Sequence, residues 1–272
     1  MIYQTASMDE ALLTYPLNHP RIMYNDLVRA ATVSSFSEAT GYPADAVQRP
    51  DTYERWKPVD VAAARNLNFD YGAAVDINCI CIAAHTLGTS GATVRVRYSD
   101  DDITYYSYFN STLITDDSTI MILGNTESHR YWRVQIVSAT VPPEIGVVYM
   151  GVVLEVERTI FGGHTPVSMS RVTAIRPTKS IGGQFLGRSI IRNGSQNQVA
   201  INNLTPSWYK TNFDPFALSA REYPFFFAFK PGTYTSDVVY GSVSQDIVPS
   251  VSGQGKGLYN VSFTIDGFVD EN

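Results

Sequence analysis

The chain has 272 residues, enough for one large or two medium domains, and a core of this size needs no disulfide or structural metal. Its 20 basic and 26 acidic residues give a mild net charge of −6, and the basic residues are spread singly along the sequence. Nucleic-acid binding is therefore not expected, because it needs clustered Lys and Arg. Membrane insertion is not expected either, because no apolar run approaches about 18 residues.

The composition predicts an all-β fold. Tyr and Phe are abundant, at 17 and 13 residues, and Gly, Pro, Asn, Ser and Thr separate short β-branched or aromatic runs. The start of the chain lacks a basic segment followed by an apolar core, so no signal peptide is expected. Cys79 and Cys81 lie two residues apart in one apolar run, which predicts two buried thiols on one face of a strand.

Residues 1–20 are interpreted as an N-terminal arm. Asp9 can cap a short helical turn, and Pro16 and Pro20 prevent the turn from continuing. From residue 21 to residue 158, strands and turns alternate. Val94 and Val96 are expected to face inward, and the Asp-rich tip at 99–102 is expected to form a turn.

A second, smaller β domain is predicted for residues 159–272. It begins with the flexible join FGGHTP at 161–166. Its final strand, 258–268, alternates apolar and polar residues. The glycine-rich stretch 253–257 is interpreted as a loop, since it precedes a strand and a phosphate-binding turn would open a helix.

The order of motifs between residues 34 and 158 resembles the discoidin-type, galactose-binding-like jelly roll. The runs that carry this resemblance are SSFSEATGYP at 34–43, DTYERW at 51–56, LNFDYG at 67–72, the apolar strand 77–84, TVRVRYSDDD at 93–102 and RYWRVQI at 130–136. The resemblance implies a β-sandwich that binds or assembles and seldom catalyses. It also implies a calcium-holding loop at matching positions Asp45, Asp51 and Thr52. With so few carboxylates, the alternative is that Asp51 caps a turn and that Tyr53 and Trp56, which also match this loop, are core residues.

The whole chain also resembles virion proteins of tailed bacteriophages, in which a discoidin-like module is joined to a second β domain. The runs are NHPRI at 18–22, AAHTLG at 83–88, FGGHTP at 161–166 and GRS at 187–189. The resemblance implies a place in the distal tail or baseplate of the virion and contacts with other tail proteins. Assembly in the host cytoplasm is expected because no signal peptide is found and the two thiols suit a reducing compartment.

No catalytic pattern is found in the sequence, so the chain is not expected to be an enzyme. The four histidines are isolated, and no G-x-S-x-G motif occurs. A sugar site needs an aromatic platform beside polar side chains. If loops 53–58, 85–91 and 126–130 meet at one end of the sandwich, such a site would contain Arg55, Trp56, His85, Arg97, His129 and Arg130. The alternative interpretation is that His85 ends a strand and that Arg130 is a surface charge.

The densest apolar run lies near the C-terminus and has apolar residues on both faces of any strand. It consists of Tyr223, Phe225, Phe226, Phe227 and Phe229. It forms either a sheet core or a subunit interface, and the second alternative predicts a homo-oligomeric ring, trimeric or hexameric. The leading function is a structural protein of a phage tail that displays a host-binding module. The alternative is a non-catalytic, carbohydrate-binding adhesin for a host surface glycan, and hydrolysis of a surface polymer is a third. No cofactor is expected apart from calcium.

Overall fold

The computed structural model describes residues 1–252 and 257–269, so the interpretation of the glycine-rich stretch 253–257 falls almost wholly outside the described residues. The described chain is built mainly of strands, which confirms the predicted all-β fold. In chain order the strands are β1 (Ile2–Gln4), β2 (Arg21–Met23), β3 (Thr32–Ser34), β4 (Arg65–His85), β5 (Thr93–Ser99), β6 (Tyr106–Leu113), β7 (Ile120–Ser138), β8 (Ile145–Gly151), β9 (Leu154–Glu155), β10 (Arg171–Lys179), β11 (Phe185–Leu204), β12 (Phe225–Ala228), β13 (Val238–Val243), β14 (Ser250–Val251) and β15 (Tyr259–Gly267).

In residues 1–252 and 257–269, helical structure is limited to short turns and one longer segment. The 3₁₀ turns are Glu10–Leu12, Val28–Ala30, Ala44–Gln48 and Val167–Met169. The longer segment, 206–219, consists of the α-helical turn Pro206–Trp208, the π-helical turn Tyr209–Phe213 and the α-helix Asp214–Ser219. None of the described helices is long and apolar enough to cross a membrane.

The N-terminal half is a β-sandwich made by two long, bent strands. The first part of β4 pairs with the last part of β7, as in Phe69 opposite Trp132, and its second part pairs with the start of β7, as in Ile80 opposite Ile122. Strands β3, β5 and β6 complete one layer, and β1 and β8 complete the other. The layers enclose a continuous apolar core that includes Trp56. The predicted β-sandwich is confirmed.

A second sheet packs on the outer face of this sandwich. Cys79 and Cys81 point away from the sandwich core and are buried with Phe226 and Tyr240 of the second sheet. The Sγ atoms of the two cysteines lie 3.6 Å apart without a disulfide, and burial raises the pKa of the Cys81 thiol. The prediction of two buried thiols on one strand face is confirmed.

The second sheet follows the order β10-β11-β15-β13-β12-β2-β9, with β14 also paired to β15. Its far face packs against the helical segment 206–219, whose Phe213 and Phe216 contact Phe225 and Phe263 in an aromatic cluster. The molecule therefore has two sandwich layers, the second sheet and the helical segment, packed in that order.

The N-terminal segment belongs to the sandwich body. Strand β1 runs parallel to the start of β7, and Asp9 accepts a hydrogen bond from the Ala11 N–H at 3.0 Å, which confirms the predicted cap. Arg21 opens β2 and is buried, and β2 pairs with β9 and β12 of the second sheet. Strands from both sides of residue 158 thus share the second sheet, and the division into domains 21–158 and 159–272 stays a prediction.

The buried aromatic segment corrects one expectation from the sequence. Phe225, Phe226 and Phe227 have no exposed side-chain surface, because β12 is covered by the helical segment on one face and by the sandwich on the other. These three residues form a core within one chain, and assigning them to a subunit interface was wrong. Tyr223 is exposed and Phe229 is partly buried, so an interface role for these two stays a prediction.

The run 146–157 is not a single strand, although its alternating apolar residues Val148, Met150, Val152 and Leu154 would share one face of such a strand. It splits after Gly151, and Leu154 belongs to β9 in the second sheet. The cause is a close approach of the chain at 25–27. A Cβ on Gly151 would lie 2.5 Å from the Asn25 carbonyl oxygen, and the Leu27 N–H donates to the Met150 carbonyl.

Asp26 is a buried carboxyl at this same place. Burial raises its pKa to about 7, although Asp26 Oδ1 accepts a hydrogen bond from the Val28 N–H at 3.0 Å and Oδ2 lies 3.4 Å from Arg29 Nε. Among the described residues, neither Oδ2 nor Nε has a hydrogen-bond partner, which is the costly arrangement for buried charges. The folded state therefore binds a proton on Asp26 that the unfolded state has already lost above its ordinary pKa of 3.8.

We expect this carboxyl to make the protein less stable as pH rises between its two pKa values. The free energy of unfolding should fall by at most about 1.4 kcal/mol per pH unit from Asp26 alone. Asp26→Asn, which keeps the acceptor for Val28, should remove this slope and be more stable than the wild type above about pH 7. Urea denaturation of both proteins from about pH 4 to about pH 8 measures the difference. Parallel pH profiles would contradict the assignment.

Candidate functional site

The six residues predicted to form a sugar site lie at two different ends of the sandwich. Loop 53–58 and the end of β4 meet the start of β8, because Trp56 pairs with Ile145 and the Thr86 N–H donates to the Glu144 carbonyl. Residues 126–130 instead lie at the bend of β7, where His129 is opposite Val75 of β4. Loop 126–130 therefore does not meet the other two loops, because β4 and β7 bend between them, and the condition for the six-residue site is not met.

Two of the six residues are buried and offer no surface to a ligand. Trp56 is fully buried in the sandwich core, with its backbone N–H bonded to the Ile145 carbonyl at 2.8 Å. His85 is fully buried as well, and its Nε2 lies 2.9 Å from the Ser118 carbonyl oxygen. Burial lowers the pKa of His85 to about 4, so the ring is neutral near pH 7. Trp56 is therefore a core residue and His85 a buried strand-end residue, as the alternative interpretation of each predicts.

At the opposite end, Arg97, His129 and Arg130 hold the strands together. His129 stacks on Tyr98 with ring centroids 4.0 Å apart, and its Nδ1 lies 2.9 Å from an Asp100 carboxylate oxygen. Arg130 donates two hydrogen bonds to Asp70, at 2.7 and 2.9 Å, and this hydrogen bonding holds the pKa of the Asp70 carboxyl below its usual value. Arg97 donates to the Tyr105 carbonyl. These polar groups are already occupied by partners from the same chain.

The structure instead forms a concave surface from the loop between β3 and β4. The loop is anchored underneath by the 3₁₀ turn Ala44–Gln48, whose Ala44, Ala46 and Val47 are buried. The Gln48 Nε2 donates to the carbonyls of Val28 and Ala31, both at 2.8 Å. Gly41 has φ +86°, a conformation that favours glycine, at the turn that opens this surface. The loop backbone is therefore held in one shape by the core below it.

Asp51 orients the outer part of the loop. Its Oδ1 accepts hydrogen bonds from the backbone N–H groups of Tyr53, at 3.2 Å, and Glu54, at 3.0 Å. This side-chain-capped turn projects the Tyr53 ring into solvent with 92% of its surface exposed, while Trp56, three residues later, points into the core. An exposed aromatic ring on a fixed turn is a platform for stacking.

The result is a depression of about 910 Å³, which we call the loop depression. Its lining consists of Gly41, Tyr42, Pro43, Asp45, Arg49, Thr52, Tyr53, Glu54, Arg55 and Glu144. The volume lies in the range of pockets that bind small organic ligands. Two tyrosine rings, one hydroxyl and five charged groups thus meet at one end of the sandwich.

The charged groups of the loop depression are largely paired with one another. Arg49 forms an ion pair with Glu54, and Arg55 Nη1 lies 3.6 Å from Glu144 Oε2. Lys57 Nζ donates to Glu144 Oε1 at 2.9 Å, and this hydrogen bond raises the pKa of the lysine. Because opposite charges are nearly balanced, the surface presents directed hydrogen-bonding groups without a strong field of one sign.

The predicted calcium loop lies on the same surface. Asp45 is exposed in the 3₁₀ turn, Asp51 Oδ1 is occupied by two backbone N–H groups, and Thr52 lines the depression. Among residues 1–252 and 257–269, no group of three or more His, Cys, Asp or Glu side chains is placed to hold a metal ion. Calcium binding, which needs six to eight oxygens, stays a prediction.

One buried histidine–carboxylate pair lies outside the loop depression. His164 Nε2 lies 2.8 Å from Asp237 Oδ2, and its ring stacks on Phe229 with centroids 4.0 Å apart. The other ring nitrogen, Nδ1, is buried without a hydrogen-bond partner, so no nucleophile is hydrogen-bonded to it. Asp237 Oδ1 accepts from the Val167 N–H at 2.8 Å, and the pair fixes the join between the halves. That the chain is not an enzyme stays a prediction.

Sequence reasoning missed most of the loop depression. It placed Arg55 in a sugar site and Asp45, Asp51 and Thr52 in a neighbouring loop, but it treated Tyr53 as a core residue. Tyr42, Arg49, Glu54 and Glu144 were not considered. A usable signal was Pro50-Asp51 two residues before Tyr53, because a proline followed by an aspartate favours a tight turn that can expose the next ring.

No protein-family model matches this sequence, and a search of curated proteins gives no match. Solved structures similar to part of the chain include chitosan-binding module 1 from a chitosanase/glucanase of Paenibacillus sp. IK-5. The two are 13% identical, and the match covers 47% of this chain and 99% of that module with a TM-score of 0.43.

Two further structures are similar to the same extent. One is a Clostridium perfringens protein in complex with GalNAc-β-1,3-galactose, at 9% identity, with 47% of this chain and 100% of that chain covered and a TM-score of 0.42. The other is a putative α-L-fucosidase from Bacteroides thetaiotaomicron, at 14% identity, with 47% and 28% covered and a TM-score of 0.41. None of these similarities concerns a phage tail protein.

Proposed function

We propose that this protein is a glycan-binding protein whose loop depression holds an oligosaccharide. The observation that supports the proposal is the exposed Tyr53 ring on a fixed turn, beside the side chains of Arg49, Glu54 and Arg55. An aromatic face can pack on the apolar C–H face of a sugar ring, while guanidinium and carboxylate groups exchange hydrogen bonds with its hydroxyls. This is the carbohydrate-binding alternative from the sequence, at a site that keeps only Arg55 of the six residues predicted.

The charge balance favours a neutral glycan. Each cation of the loop depression already has a carboxylate partner, so an anionic sugar would gain little and a cationic one would meet Arg49 and Arg55. The depression is open and shallow enough to accept more than one ring of a chain. The expected ligand is therefore a neutral oligosaccharide bound through one stacked ring.

Tyr53→Ala tests the proposal. We expect affinity for a glycan identified on an array to fall at least about tenfold, since the stacking surface is lost. The melting temperature should not change, because Tyr53 is almost fully exposed. Isothermal titration with the best array ligand measures the affinity.

Tyr106→Ala is the matched control. Tyr106 is also an exposed tyrosine, but it lies on β6 and packs beside Tyr98 at the Arg97–His129 end of the sandwich. It should leave binding unchanged. An affinity that falls with Tyr106→Ala and not with Tyr53→Ala would place the site where the sequence first suggested it. Absence of any array ligand would contradict glycan binding.

The second candidate is a structural role in the tail of a phage particle, with assembly in the host cytoplasm. The observation that favours an assembly role is the hairpin of β10 and β11, which is exposed on both faces and rich in apolar residues. Detection of the protein in purified virions by mass spectrometry would support this candidate, and its absence from virions would contradict it.

A further inference from the structure

The hairpin of β10 and β11 extends away from the rest of the molecule. Every residue from 171 to 179 is exposed, and in the described part of the chain β10 is hydrogen-bonded on one side only, to β11. Ile175 lies opposite Ile190 in the register. A nine-residue strand spans about 30 Å, so the tip reaches well beyond the other strands of the second sheet. Two-stranded hairpins without a packed face are marginally stable in water.

The hairpin exposes an unusual number of large apolar side chains. Phe185, Leu186, Ile190 and Ile191 each expose more than 60% of their surface, and Ile181 at the tip is fully exposed. The neighbouring residues that add to this surface are Phe161, Met169, Val172 and Ile175. Scattered apolar residues are normal on a protein surface, but a contiguous apolar patch marks a protein-binding surface. The roughly 20 residues involved match one side of an interface of standard size.

The charge of the hairpin is opposite to that of the rest of the chain. Residues 171–192 include five basic residues and no acidic one. The rest of the chain has 15 basic and 26 acidic residues and therefore carries all of the net negative charge. The pairing of β10 with β11 brings these five basic residues onto one hairpin, although basic residues are spread singly along the sequence as a whole. The chain thus contains both a basic, apolar arm and an acidic body.

We propose that the hairpin docks on the acidic surface of a second copy of this chain. The contact is heterologous, since a hairpin on one copy meets the body of the next, and such contacts form a ring when the rotation closes. The apolar side chains supply the buried surface, and the basic ones align with carboxylates and exclude wrong orientations. This inference does not depend on glycan binding.

A nucleic acid is the other partner that a basic hairpin suggests, and the observations favour it less. Phosphate binding needs cations and hydrogen-bond donors, and it leaves exposed isoleucine and leucine side chains in water. The hairpin carries more large apolar residues than basic ones. The acidic body of a second copy can pair with the basic side chains and also bury the apolar ones.

The test is sedimentation velocity of the full chain at about 1 to 100 µM, the range in which interfaces of this size associate. The wild type should sediment as a species larger than a monomer. Arg176→Glu/Arg188→Glu should raise the dissociation constant at least about 100-fold through charge repulsion. Ile190→Asn/Ile191→Asn should have a similar effect through the apolar surface. All four residues are exposed, so circular dichroism should show unchanged folding.

Lys210→Glu/Arg221→Glu is the matched control, because it changes the net charge equally at two exposed positions outside the hairpin. It should leave the oligomer intact. A wild type that stays monomeric at every concentration would overturn the proposal, as would an oligomer that survives both hairpin variants. Binding of a 20-base-pair DNA duplex by a monomeric wild type would assign the hairpin to nucleic acid and overturn the proposal as well.

Discussion

Replacing Phe226 with alanine is expected to lower the free energy of unfolding by about 3 to 5 kcal/mol. Phe226 has no exposed surface, and its ring packs against Tyr149 of β8 at 5.2 Å and Tyr240 of β13 at 4.6 Å between ring centroids. Its removal leaves a cavity between the sandwich and the second sheet, where both layers are rigid. Equilibrium denaturation in urea measures the loss.

Phe36→Ala is the control for this prediction, because Phe36 is 99% exposed and the same atoms are removed without creating a cavity. It should change stability by less than about 0.5 kcal/mol. If Phe226→Ala costs no more than Phe36→Ala, the two sheets are not packed as described. A second unfolding transition in Phe226→Ala alone would show that this layer couples the two halves.

Replacing Arg21 with methionine is expected to cost about 3 to 5 kcal/mol, although methionine keeps most of the side-chain volume. The Arg21 guanidinium is buried, donates to the backbone carbonyls of Tyr15, Pro16, His19 and Pro20, and lies 3.5 Å from Glu155 Oε2. Methionine would remove the donor of the Tyr15 and His19 carbonyls and leave Glu155 without its cation, while the Pro16 and Pro20 carbonyls keep backbone N–H donors. The segment 15–20 should detach from β2 and β9.

The exposed ion pair of Arg49 and Glu54 gives a direct comparison. Arg49→Met removes one partner of a pair whose side chains are nearly half exposed, so its cost should stay below about 1 kcal/mol. Limited proteolysis should cut the segment 15–20 in Arg21→Met and not in Arg49→Met. Equal stabilities of the two variants would contradict a structural role for the buried arginine.

The sequence was a good guide to strands with a simple period and a poor guide to strands that change partner. Val94 and Val96 are buried as their alternation predicted, and Val261, Phe263 and Ile265 are buried likewise in β15. The helical segment 206–219 was missed, although Tyr209, Phe213, Phe216, Ala217 and Ala220 follow a helical spacing. The helical spacing of this segment is hidden because its apolar runs are short and lie between aromatic strands. It becomes visible only when the segment is compared with the helical period of 3.6 residues.

The candidate site was harder to predict than the fold because it depends on which way single side chains point. Tyr53 and Trp56 are both aromatic, and they lie in one short loop, yet one is exposed and the other is buried. The difference comes from the hydrogen bonds of Asp51 and the pairing of Trp56 with Ile145, a contact between residues far apart in the sequence. Likewise, Glu144 joins Arg55 only through the path of the folded chain.

The most direct test of glycan binding is a crystal structure of the protein with the array ligand bound. If the loop depression binds the glycan, a sugar ring will lie over the Tyr53 ring, with hydroxyls within hydrogen-bonding distance of Arg49, Glu54 or Arg55. A sugar bound beside His129 and Arg130, or in the groove of about 660 Å³ between the sandwich and the base of the hairpin, would contradict it.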